Sequence, residues 1–335
     1  MGHDVTLWAS GDSRTLATLE AVRPQATRLD PGCHDPFAAH IAMIERFAQR
    51  ADEYDVVHFH IDYFHFSLMR RLGRPFVTTL HGRLDIPDLI PLYREFSDVP
   101  VVSISNDQRR PLPFVNWQST VHHGLPLDLY LPGPSKRQPY LAFLGRISPE
   151  KGVDKAIRIA RRAGWRIRIA AKVDHAHKEY REYFENVIKP MLDDPGVEFL
   201  GEVDEAGKRD LLQNASALIF PIDWPEPFGL VMVESLACGT PVIAFRRGSV
   251  SEVIDDGVTG FVVDDEDQAV EALKRIGELD PAQVRSVFEN RFSAHRMASD
   301  YVRIYRKLAK VSPPADGGRG APVKEEPLTS GVNVQ

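Results

Sequence analysis

Cysteine is nearly absent: Cys33 and Cys238 are the only two in 335 residues. That excludes a disulfide framework and a Cys-rich metal centre. Long apolar runs are missing as well. No window approaches the ~18 consecutive apolar residues of a membrane-spanning helix, and Met1-Gly2-His3-Asp4 has neither the basic start nor the apolar stretch of a signal peptide. Nor is there a basic excess, since 41 Lys and Arg stand against 47 Asp and Glu for a formal charge of −6, whereas nucleic-acid binders are usually strongly basic. A soluble, cytoplasmic chain that binds no nucleic acid is expected. What is present is ordinary globular material, 43% apolar and 26% charged, long enough for two domains.

The charge is unevenly spread. Lys151, Lys155, Arg158, Arg161, Arg162, Arg166, Arg168 and Lys172 crowd one stretch against a single acid, Asp154. A local positive field in an acidic chain is a reason to look for an anionic ligand, although charge runs are more often solvated faces.

Short β-rich apolar runs alternate with helix-length amphipathic stretches, the pattern of parallel βαβ units. In the first half, strands are expected at 4–8, 55–60, 75–79 and 100–105, with a helix over 37–51. In the second, strands at 140–145, 166–170, 197–200, 217–220 and 241–245 alternate with helices at 152–163, 178–192, 205–214 and 228–238. Two doubly wound domains, 1–130 and 140–291, fit this better than one large sheet. Pro132, Gly133, Pro134 and Pro139 break the linker at 131–139. A helix over 292–311 follows, with Met297, Tyr301, Ile304, Tyr305 and Leu308 at helical spacing. The Pro- and Gly-rich tail, 312–335, is expected to be disordered.

The segment from Phe220 to Phe245 carries the most chemistry. A strand runs into a loop, Pro227 suits the first helical position, and Gly239 with Pro241 stops the helix. The amides of Phe228, Gly229, Leu230 and Val231 would then point out of a helix N-terminus, where phosphate binds well. Glu226, just before the helix, and Glu234, two turns in, can face one cleft, and carboxylates accept hydrogen bonds from vicinal hydroxyls. Either acid alone reads as solvated. The combination suits a ligand with a sugar at each end of a diphosphate.

Glu226-x7-Glu234 followed by Ala-Cys-Gly-Thr-Pro-Val resembles the signature of retaining glycosyltransferases of family 4. The fold of that family is GT-B, an α/β arrangement of two Rossmann-like doubly wound domains facing a cleft. Leu144-Gly-Arg-Ile-Ser-Pro-Glu-Lys-Gly152 is similar to a second family signature, and Gly248-Ser-Val-Ser-Glu-Val-Ile-Asp-Asp-Gly-Val-Thr-Gly-Phe261 to a third. The resemblance implies a hexosyltransferase-type enzyme that uses a nucleotide-sugar donor and an unidentified hydroxyl acceptor. It implies that Arg146 and Lys151 hold the donor diphosphate, Glu234 the ribose, Glu226 the transferred sugar, and the amides of Phe228, Gly229, Leu230 and Val231 the sugar and phosphate. His81, in Thr79-Leu-His-Gly-Arg-Leu-Asp85, is similar to the family's cleft histidine near the reacting sugar carbon. His81, Arg146, Lys151 and Glu226 are therefore the candidate catalytic residues. Two cations beside a helix N-terminus stabilise the charge on a departing diphosphate and stand in for a metal. Asp255-Asp256 and Asp264-Asp265 read as turn acids, and neither metal nor cofactor is expected.

His58, His60 and His65 form only a weak zinc signal, because His58 and His60 are two ligands on one strand with no Cys partner. Buried or hydrogen-bonded histidines are the better reading there, at His122-His123 and at His175-Ala-His177. The basic face of Lys151, Lys155, Arg158 and Arg162 reads as solvated, with a weak peripheral contact to anionic membrane as its rival. Family members open with a strand, a Gly-rich loop and a helix ahead of the segment resembling Gly2–Trp8. Here that unit is expected to be missing, which would leave two strand edges of the first sheet exposed. Two rivals to a transferase follow: a nucleotide-sugar-binding remnant without turnover, and a nucleotide-sugar epimerase on the same fold.

Overall fold

The computed structural model describes residues 1–174 and 176–309; His175 and the 312–335 tail lie outside them. In the first half, Thr6–Ser10 (β1) and Thr18–Arg23 (β2) pair in parallel as a two-stranded sheet. A separate parallel sheet holds Val57–Phe59 (β3), Phe76–Thr79 (β4), Val101–Ser103 (β5) and Trp117–Thr120 (β6) in chain order. Neither β2, sequence TLEAVR, nor β6, sequence WQST, was among the expected strands. Their Glu, Gln and Ser mask the apolar signal, and parallel pairing comes from neighbouring strands.

The second half holds Tyr140–Arg146 (β7), Arg166–Lys172 (β8), Val197–Gly201 (β9), Ala217–Phe220 (β10), Val242–Phe245 (β11) and Gly260–Val263 (β12). All are parallel, in the spatial order β12-β11-β10-β7-β8-β9. Counted within this half, the order is 6-5-4-1-2-3, the Rossmann arrangement, and it reverses between β7 and β10. Residue alternation divides the two faces of β7. Leu141 and Phe143 join one core with Ile157 and Ala160, while Tyr140 and Ala142 join the other with Val233 and Leu236. Each face is closed by a helix, Val153–Ala163 (α1) on the first and Leu230–Ala237 (α2) on the second.

The stretch expected as one helix over 178–192 is an α-helical start at Lys178–Tyr183, a wider turn at Phe184–Ile188 and a tight one at Lys189–Met191. Pro190 has no amide to continue an α-helical ladder. Residues 131–139 run irregularly against the second half. There the Arg137 guanidinium donates to the carbonyls of Gln213 (2.6 Å) and Cys238 (2.8 Å), and the Gln138 amide bonds the Asn214 carbonyl. The last helix, Ala294–Leu308 (α3), crosses back to the first half, where Tyr301 and Ile304 share a core with Val77, Val102 and Val121. Among the described residues no helix is long and apolar enough to cross a membrane.

Candidate active site

The strand-order reversal places the loops after β7 and β10 side by side. Gly152, at φ +71°, is where they meet: a Cβ there would lie 2.4 Å from the Pro221 carbonyl oxygen, so a side chain would force the loops apart. The Asp223 amide then donates to the Glu150 carbonyl at 2.8 Å and ties the loops together. Between them stands one pair. Lys151 Nζ lies 2.6 Å from Glu226 Oε2, and the same oxygen accepts the Trp224 indole N–H at 2.8 Å. The two side chains of the ion pair are only 16% and 11% exposed. Glu226 Oε2 is thus committed, which leaves Oε1 for a ligand.

Arg146 ends β7 and is exposed, with no ion pair among the described residues. Glu234 sits in a different group. Lys208 Nζ lies 2.8 Å from Glu205 and 3.5 Å from Glu234, and the Tyr130 hydroxyl donates to Glu205. Burial pushes the Glu234 carboxyl above its ordinary value, against the pull of Lys208. Tyr130, Glu205 and Lys208 carry no motif and were not found from sequence.

The helix start differs from expectation. Pro227 is not its first residue: the helix begins at Leu230, with Gly229 at φ +73° as its cap. That turn sends the Phe228 ring into the core, where it is 2% exposed, and its carbonyl accepts the Ser249 hydroxyl at 2.9 Å. Phe228 and Gly229 therefore precede the first helical turn. The amides of residues 228–231 nevertheless find no protein acceptor among the described residues, so they are available to an anion.

From the first half, His81 follows β4 and joins a row of rings. Its Nε2 lies 2.8 Å from His60 Nδ1, its ring is parallel to His123 at 5.3 Å, and His123 meets Phe228 edge-on at 4.9 Å. His81 Nδ1 is buried with no protein partner. Burial pushes His81 down to about 4 and His123 to about 3, so both rings are neutral at pH 7. Across the gap the Arg83 guanidinium lies 5.5 Å from the Trp224 ring centre. A cavity of about 250 Å³ separates the halves, lined by Arg83, Asp85, Asp107 and Arg110 on one side and Pro225 and Pro227 on the other. Of the other histidines singled out from sequence, His58 bonds Tyr305 and Thr79, His122 bonds Glu252 and His177 bonds Asp174, whereas His65 bonds Thr78 through Nε2 and keeps Nδ1 buried without a protein partner.

The basic stretch is balanced by acids from across the second half. Lys155 pairs with Asp223, Arg158 with Glu266, Arg161 with Asp194, Arg162 with Asp267 and Arg168 with Glu198. That leaves little free charge on α1 to meet an anionic surface. Asp265-Glu266-Asp267 spells Asp-x-Asp, yet its acids are engaged within the fold. Asp265 caps the helix Glu266–Lys274, and the other two pair with Arg158 and Arg162. Among the described residues, no group of three or more His, Cys, Asp or Glu is placed to hold a metal ion.

Two parallel α/β halves that face a cavity, with the polar groups gathered at a strand-order reversal, make this a GT-B fold. Solved structures agree: a sucrose-phosphate synthase from Thermosynechococcus elongatus superposes with a TM-score of 0.72 at 19% identity, covering 93% of this chain and 90% of that one. Anabaena HepE in complex with UDP and glucose gives 0.69 at 17% identity, over 87% and 86%. In sequence, the family model for Glycosyltransferase Family 4 matches residues 1–118 and that for glycosyl transferases group 1 matches 132–290. The chain belongs to glycosyltransferase family 4. Among curated relatives, a D-inositol 3-phosphate glycosyltransferase of Mycolicibacterium smegmatis is 29% identical over 195 residues, 55% of this chain and 43% of the relative. One from Kribbella flavida is 31% identical over 162 residues, 43% of this chain and 38% of the relative. The chain thus spans under half the length of the curated relatives it matches.

Proposed function

We propose that this chain is a retaining, metal-independent glycosyltransferase that moves a sugar from a nucleoside-diphosphate donor to a hydroxyl acceptor. The observation that carries the reading is the Lys151–Glu226–Trp224 group at the strand-order reversal, beside four amides that lack acceptors among the described residues. Residues 140–291 are the donor domain and 1–130 the acceptor-side domain, with 131–139 as linker. Arg146 and Lys151 offset the charge that grows on the departing diphosphate, helped by the amides of residues 228–231. Glu226 Oε1 accepts hydroxyls of the transferred sugar, and Glu234 accepts from the ribose. His81, neutral at pH 7, faces the sugar from the first half. Relatives named as glycosyltransferases and a structural neighbour bound to UDP support the choice of donor.

Among the described residues no carboxylate stands as an obvious nucleophile, so the acceptor oxygen attacks from the leaving-group side. The new C–O bond forms as the sugar–phosphate bond breaks, and a phosphate oxygen takes the acceptor proton. The test is transfer or hydrolysis of UDP-, GDP- and ADP-sugars, with Arg146→Ala as control and product anomers read by NMR. Transfer with retained configuration, lost in R146A, is expected. An inverted product overturns the mechanism, and absence of both transfer and donor hydrolysis overturns the activity.

A further inference from the structure

Glu252 belongs to the turn Val250–Val253 of the second half, yet its carboxylate is spent entirely on the first half. Oε2 accepts the Asn106 amide (2.7 Å), the Asn106 side-chain N–H (3.0 Å) and His122 Nε2 (3.1 Å), and Oε1 accepts the Asp107 amide (2.7 Å). Asn106 and Asp107 open the short helix after β5, and their amides are free because an α-helix leaves its first N–H groups unpaired. Four donors converge on one partly buried anion. Burial would raise its pKa, but the bonds from His122, Asn106 and Asp107 outweigh that and hold it below the usual glutamate value.

A few residues upstream, the same segment is fastened to the donor loop. The Ser249 amide donates to the Glu226 carbonyl at 3.0 Å, and the Ser249 hydroxyl donates to the Phe228 carbonyl. Gly248 lies so close that a Cβ would fall 2.4 Å from both the amide nitrogen and the carbonyl oxygen of Glu226. From behind, Arg291 bonds the Glu252 carbonyl at 2.6 Å and the Asp255 carboxylate, which anchors the segment to the helix Pro281–Arg291. Residues 248–252 therefore form one short stiff arm, with the first half at one end and the backbone of Glu226 and Phe228 at the other.

We infer that Glu252 is a positioning residue: by grasping the Asn106–Asp107 amides and His122, it links docking of the first half to the placement of the Glu226–Lys151 pair. In its catalytic consequence this rests on the transferase reading above. A contact that served only cohesion would end at the interface. Here the arm continues into the loop that holds the sugar-facing carboxylate, so opening the halves also releases Glu226.

The test uses the full chain and the variants Glu252→Ala and Glu252→Gln. For E252A, kcat for UDP-sugar turnover is expected to fall about 10²-fold, the cost of a misplacement near 1 Å, and UDP, whose diphosphate Lys151 and the 228–231 amides would hold, binds more weakly than to wild type. E252Q, which keeps one acceptor oxygen, recovers part of kcat. Hydrogen exchange at residues 224–231 rises in E252A and gives a readout independent of turnover. Lowered stability with unchanged kcat and unchanged exchange at 224–231 would mean simple cohesion and overturns the inference. If wild type turns nothing over, the transferase reading fails by itself. The coupling then stands or falls on the exchange measurement.

Discussion

Replacing Lys151 by Met keeps the apolar stem and removes the cation from Glu226 Oε2. Both side chains are less than one-fifth exposed, so the orphaned carboxylate cannot regain full hydration, yet the Trp224 N–H at 2.8 Å remains to it. Unpairing a fully buried ion pair costs about 3–5 kcal/mol, and leaving a charged acceptor short of one bond costs about 1–3. With one donor retained, about 2–3 kcal/mol is expected for K151M. At about 2–4 °C per kcal/mol for a domain of this size, the melting temperature falls by roughly 5–10 °C. E226Q alone costs less, because the amide still accepts from Trp224. The double variant K151M/E226Q has no stranded charge, so the cycle returns a coupling of about 1.5–2.5 kcal/mol. Urea unfolding of the four proteins measures it, and UDP-sugar binding measured in parallel should stay weak in the double variant although stability returns. A coupling below about 0.5 kcal/mol, the level of an exposed pair, would refute the reasoning, because Lys151 and Glu226 would then be separately solvated.

Gly248→Ala should destabilise the chain by about 2–4 kcal/mol and abolish turnover, since it adds a left-handed backbone penalty at φ +54° to a clash with Glu226; a variant that melts and turns over like wild type contradicts the close approach. His65 is fully buried on Thr78 and Phe59, and burial depresses it from 6.5 to about 3. Because the unfolded chain takes up the proton first, its contribution is intact above pH 6.5 and lost as pH falls toward 3, by about 2 kcal/mol at pH 5. Urea midpoints at pH 7 and 5, compared with H65Q, check this, and equal losses in both proteins would remove His65 as the cause. Glu234→Gln should weaken UDP binding about tenfold if the carboxylate accepts from the ribose, and titration calorimetry finds no change if it does not.

The βαβ alternation was legible because buried parallel strands must be nearly continuous apolar runs, as at Ala217–Phe220, and because breaking residues such as Gly239 and Pro241 act over one helical turn. The residues of the candidate site were legible for the same local reason, as short motifs beside strand ends. Glu226, Lys151 and Arg146 each sit within a few residues of a strand or helix terminus. Other features were hidden in physical terms. The helix starting at Leu230 instead of Pro227 depends on where Phe228 finds a cavity, and the two-stranded β1–β2 sheet depends on long-range pairing. The row His60–His81–His123 joins residues more than 60 positions apart.

The order and type of most elements, and the motif residues, follow from the amino-acid sequence alone, because periodicity, capping and loop chemistry operate between near neighbours. Which oxygen of Glu226 is occupied, that the basic stretch is neutralised, that Glu234 shares its burial with Lys208, and that Glu252 grips the opposite half were decided only by tertiary structure. Hydrogen bonds and ion pairs depend on distances of about 3 Å, and such distances between residues tens to hundreds of positions apart exist only once both sheets have formed and the chain has crossed between them.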